Sequence, residues 1–106
     1  MQRLIIIGNS GAARECYWLF QDMCAADVNL KTNCTFHGFL SWRNYSSDLK
    51  SLKSLFLGDA LDYSITEKDV FVIGIGNPGL REDVYVTMKS RGAVFFTLMP
   101  IKFIQI

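Results

Sequence analysis

Two stretches constrain this chain more than any others: LIIIGNSGAAR at residues 4–14 and VFVIGIGNPGLR at residues 70–81. Each is a run of β-branched and aromatic residues that reaches a glycine and then passes into a helical pattern. A strand that is apolar at every position has no face for water, so it belongs in a sheet covered on both sides. Two such strands, each feeding a helix, require crossover connections and therefore a parallel sheet.

The rest of the chain falls in around them. After the first turn, AARECYWLFQDMCAAD puts apolar residues at positions 12, 16, 19, 20, 23 and 24, one face of a helix. Asn9 or Ser10 is placed to cap its start. Residues 27–33 are polar and read as a loop, and CTFHGFL at 34–40 reads as a second strand. Residues 41–54 read as a loop, followed by a short edge strand at 55–57 that closes at Gly58 and Asp59. After the second turn, Asn77 is a natural N-cap with Pro78 at the first helical position, where its missing N–H costs nothing. Leu80, Val84 and Met88 then repeat every four residues up to Gly92. AVFFTLM at 93–99 reads as a last strand. This order predicts one small Rossmann-like three-layer α/β domain, residues 1–106, with a parallel sheet of four to five strands. The first strand is central, with the 70–75 strand beside it.

Charge and cysteine content narrow the function classes. Eleven basic and ten acidic residues are scattered along the chain, net +1, with no basic stripe for nucleic acid. No apolar run approaches the roughly 18–20 residues of a membrane span, and residues 4–7 are too short for a signal-peptide core. Cys16, Cys24 and Cys34 lack CxxC spacing and are odd in number, which points to free thiols in a reduced, cytoplasmic protein, with no metal site.

In an open parallel sheet, ligands bind beyond the carboxyl ends of the strands, where strand order reverses. The turns Gly8-Asn9-Ser10-Gly11 and Gly74-Ile75-Gly76-Asn77-Pro78-Gly79 would meet there, each at a helix start that suits a phosphate. Arg14, one turn into its helix, can add charge. The dinucleotide pattern GxGxxG is incomplete, with Ser10 at its second glycine and Ala13 at its third, and no ribose-binding carboxylate follows Leu40-Ser41-Trp42-Arg43. A plain structural corner therefore stands beside a phosphate site as a reading of the first turn. Trp42 and Tyr45 can stack a flat base or simply cover the sheet. His37 lies inside a strand without a partner, and reads as structural. Asp22, Asp27, Glu67 and Asp69 read as solvated charges. No nucleophile–base pair is legible.

The order IIIGNSGAARE, HGFL, FLGD, DVFVIGIGNPGLRED and RGAVFFTLM resembles the N-terminal domain of bacterial sugar O- and N-acyltransferases, the group that acetylates UDP-linked amino sugars and sialic acid. The resemblance runs from residue 2 to about residue 100. It implies a Rossmann-like domain that holds a UDP-sugar on Gly8, Asn9, Ser10, Gly11, Arg14, Ser41, Trp42, Gly76, Asn77 and Gly79. In that family a left-handed β-helix follows, trimerises, binds acetyl-CoA and carries the catalytic histidine. Its hexapeptide periodicity is absent here, so the resemblance implies a substrate-binding domain that is catalytically incomplete alone. The chain departs from the family pattern in three places: Ser10 and Ala12 within its GxGGHAR turn, Ser41-Trp42 where two aspartates commonly end the second strand, and Met99-Pro100 for its His-Pro step. A docking or assembly module on the same fold, and an NAD(P)-binding domain, are the alternative expectations. The terminal IKFIQI is apolar and β-prone, suited to a following β-helix or to a partner's sheet.

Overall fold

The computed structural model describes residues 1–8, 10–43 and 55–98. Five strands, β1 (Gln2–Ile7), β2 (Cys34–Ser41), β3 (Phe56–Asp59), β4 (Asp69–Ile73) and β5 (Val94–Phe95), form one sheet in the order β3-β2-β1-β4-β5. Every pairing is parallel. Three helices among the described residues, α1 (Gly11–Ala26), α2 (Val28–Asn33) and α3 (Pro78–Ser90), complete the domain.

The central place of β1 follows from its composition. Leu4, Ile5, Ile6 and Ile7 are all 0% exposed, because alternate side chains enter two different cores. Leu4 and Ile6 pack with Phe39, Val70 and Val72 against Ala13 and Phe20 of α1. Ile5 and Ile7 pack with Leu40 and Phe71 against Val84 and Met88 of α3. The helices thus cover opposite faces, giving the small three-layer Rossmann-like architecture that the two apolar strands require. No helix among the described residues is long and apolar enough to cross a membrane.

Three details differ from the sequence reading. Residues 28–33 are helical where a loop is expected, because the Asp27 carboxylate accepts hydrogen bonds from the N–H groups of Asn29 and Leu30 at 3.0 and 3.3 Å. Thr32 and Asn33 donate back to the carbonyls one turn earlier, each at 2.8 Å, so the helix is held by local polar bonds and shows no apolar period. Within the described part of the apolar run, residues 93–98, the last strand covers Val94–Phe95. Phe96 N–H still donates to Phe71 O at 2.8 Å, but the Ile73 carbonyl on β4 accepts instead from Arg81 Nη1 at 3.0 Å. Asp69 is not a solvated charge: its side chain is 0% exposed at the amino end of β4. There it meets the Arg3 guanidinium at 2.9 Å, the Tyr63 hydroxyl at 3.1 Å and the Thr66 N–H at 2.9 Å.

Candidate functional site at the carboxyl end of the sheet

Strand order reverses between β1 and β4, so the turns that follow these strands flank the position where such sheets bind ligands. Backbone bonds carry the sheet past its last paired residues: Gly8 N–H donates to Leu40 O at 2.7 Å, and Gly74 N–H donates to Ile7 O at 2.8 Å. These bonds fix the two turns side by side. Gly8 has φ +135°, open to glycine, and a methyl group there would overlap the Gly74 carbonyl. A methyl on Gly74 would lie 2.7 Å from Ala13 Cα and 2.8 Å from Ile6 Cγ2. The first glycine of each turn is therefore demanded by packing of turn on turn and turn on helix.

The second glycines are different. Nothing lies within 4 Å of a side-chain position on Gly11 or Gly76, and Gly79 faces only Asn77 Oδ1 at 3.3 Å. All three are exposed, as are Ser10 and Asn77. The two helix starts are also finished differently. Asn77 accepts from Leu80 N–H at 3.1 Å and is followed by Pro78, so α3 satisfies its own first turn. Ser10 occupies the N-cap of α1 with extended backbone but makes no side-chain cap bond. The start of α1 thus keeps N–H groups and a partial positive charge directed beyond the sheet. Arg14 follows one turn later, part-buried, its N–H donating to Ser10 O at 3.1 Å.

The remaining expected site residues separate. Asn9 and Tyr45 lie outside the described residues, as do Met99, Pro100 and the terminal IKFIQI. Ser41 is at the carboxyl end of β2 but 3% exposed, and its Oγ donates to Asp59 Oδ2 at 3.0 Å. Trp42 is 1% exposed and belongs to the α3-side core, so its ring offers no face to a base. Its Nε1 donates to Asp83 at 3.3 Å, and Arg43, the only described non-glycine residue with positive φ (58°), lies over the ring at 5.5 Å while pairing with Asp83 at 3.3 Å. Gly8, Ser10, Gly11, Gly76, Asn77 and Gly79 come together; Ser41 and Trp42 are spent on the fold.

Sequence reasoning passed over two groups here. Asp59, closing β3, puts a carboxylate beside the end of β2, where its own strand lacks one; its Oδ1 also accepts from Leu61 N–H at 3.0 Å. Arg81 donates from Nη1 to both Ile73 O and Ile75 O at 3.0 Å, bracing the second turn from behind. Its signal was the arginine three residues after Pro78, the length of one helical turn.

Burial pushes the Cys16, Cys24 and Cys34 thiols up, away from the reactive thiolate. Among the described residues no group of three His, Cys, Asp or Glu side chains could hold a metal ion. Compared with known proteins, the chain matches no protein-family model, no curated protein and no solved structure.

Proposed function

We propose that the paired turns bind a nucleotide-sugar through its diphosphate, and that the chain is the substrate-binding domain of an acetyl-CoA-dependent sugar acyltransferase. The observation that carries the reading is the pair of turns itself. Gly8 and Gly74 lock them together, while Gly11 and Gly76 stay open and the Ser10 side chain makes no cap bond to α1. A diphosphate fits such a place because backbone N–H groups and the helix dipole act on its charge without a basic side chain. The resemblance to the sugar acyltransferases supplies the sugar nucleotide as ligand class. Ser10 supports that choice over a dinucleotide, since its side chain stands where the GxGxxG pattern needs bare backbone.

The test is a thermal-shift titration of the full chain with UDP-N-acetylglucosamine, UDP-linked diamino sugars, a CMP-linked sialic acid, NAD and NADP. A ligand at a hundred times its Kd stabilises the folded state by about 2.7 kcal/mol, a shift of several degrees for a domain of this size. A saturable rise with a sugar nucleotide and none with NAD supports the reading. Stabilisation by NADP alone, or by no member of the panel, sinks it.

A further inference from the structure

A cavity of about 370 Å³ opens where β5 ends and the edge of β4 has no further strand neighbour among the described residues. Cys16 and Leu19 of α1, Arg81 and Tyr85 of α3, and Phe95 and Phe96 line most of it. Its size falls within the range of small-molecule pockets. Tyr85 and Phe95 sit with ring centroids 5.0 Å apart, so one wall is aromatic.

Arg81 is the one cation in this lining. Two carbonyl oxygens hold its Nη1, at 3.0 Å each, which fixes the guanidinium in place. Its Nε and Nη2 make no hydrogen bond to the described residues, and no described carboxylate pairs with it. A positioned guanidinium beside apolar rings matches a ligand with one anionic end and an apolar body. The lining is mostly apolar, its polar side chains being Arg81, Thr97, the Tyr85 hydroxyl and the Cys16 thiol, so it offers few partners for the many hydroxyls of a sugar. A phosphate monoester would bring nearly two charges to one arginine.

We infer that this cavity is a second binding site, for a small aromatic carboxylate. The ring lies among Leu19, Tyr85 and Phe96, and the carboxylate takes the remaining N–H groups of Arg81. The site lies beside the paired turns and shares Arg81 with them, since that side chain also holds the Ile75 carbonyl of the second turn; the two ligands are titrated separately on the unaltered chain, so either assignment can fail without the other.

The experiment is an NMR titration of the ¹⁵N-labelled full chain with indole-3-acetate and, as a neutral match, indole-3-acetamide. Saturable shifts at the amides of Cys16, Tyr85 and Phe96 are expected, with the acid binding about tenfold more tightly than the amide, as a charge-assisted pair requires. Arg81→Gln should erase that preference. Because Arg81 also braces β4, the salt dependence of the unaltered chain gives a second measurement: added salt should weaken the acid and leave the amide unchanged. Equal binding of acid and amide, salt-independent binding of the acid, or no saturable shift at these amides overturns the proposal. Shifts at residues 101–106 as large as those at the lining would identify the chain's own terminal segment as the occupant, and would overturn it too.

Discussion

The two ends of the sheet use polar groups in opposite ways. At the amino end, Asp69 is fully buried and both its oxygens are engaged, by Arg3, Tyr63 and the Thr66 N–H. Arg3 also reaches the Thr66 hydroxyl at 3.2 Å, so the cluster closes on itself. At the carboxyl end, Ser10, Gly11 and Gly76 are exposed, and of the two N-cap side chains described there Asn77 bonds its own helix whereas Ser10 does not. Satisfied polar clusters hold folds together, whereas unsatisfied but exposed donors are available to a ligand. The contrast separates residues that should matter for stability from those that should matter for binding, and that separation can be broken by experiment.

The largest effect is expected where the carboxyl end is itself structural. Gly8→Ala combines a backbone conformation reserved for glycine with overlap on the Gly74 carbonyl, and should cost about 4 kcal/mol in urea unfolding. Gly76→Ala meets nothing within 4 Å and should change stability by less than about 0.5 kcal/mol while weakening nucleotide-sugar binding. If the two variants are equally destabilised, the division of each turn into a packing glycine and an open glycine is wrong.

The amino end gives the next effect. Asp69→Ala removes the acceptor for three partners and leaves Arg3 unpaired; with Arg3 32% exposed and reachable by water, the cost should be about 2–3 kcal/mol, below that of a fully buried pair. Burial pushes the Asp69 carboxyl up, but the Thr66 N–H, Arg3 and Tyr63 more than offset it and hold the group below its usual range. A depressed folded value means stability that is present above the unfolded carboxylate value of about 3.9 and lost as pH falls through the lower folded value. Urea unfolding at pH 6 and pH 3 should therefore show a smaller acid loss in Asp69→Ala than in the unaltered chain. An identical acid loss would mean that this cluster does not set the acid limit.

The sequence made the covered parallel sheet legible because residues 4–7 of β1 and 70–73 of β4 are apolar without a break, and only a sheet buried on both faces allows that. The α3 boundaries were legible for a similar reason, since Asn77, Pro78 and the four-residue repeat each have one mechanical meaning. What escaped depended on partners distant in the chain. Asp69 reads as a solvated charge until Arg3, 66 residues away, is brought to it. Trp42 reads equally as a stacking platform or as cover for the sheet, and its place in the α3-side core decides for cover. The 93–99 run reads as a full strand, yet Arg81 takes the next acceptor on the β4 edge. At the site, the glycines were visible but their division was not, because Gly8 is explained by the Gly74 carbonyl and Gly74 by Ala13 and Ile6, each contact across more than 60 residues of chain.

The smallest effects compare the two helix starts directly. Asn77→Ala removes the side-chain acceptor of Leu80 N–H and should destabilise by about 1 kcal/mol, the usual value of an N-cap. Ser10→Ala removes a hydroxyl that makes no cap bond, so the same measurement should move by less than about 0.3 kcal/mol. Binding should reverse the order. The hydroxyl beside the α1 start can donate to a diphosphate, so Ser10→Ala should weaken a sugar nucleotide several-fold, about the effect of one hydrogen bond to a charged group. Asn77→Ala, whose side chain is occupied within α3, should leave affinity nearly unchanged once stability is allowed for. If Ser10→Ala instead destabilises the fold as much as Asn77→Ala does, the α1 start is an ordinary capped helix, and the binding reading loses the asymmetry on which it stands.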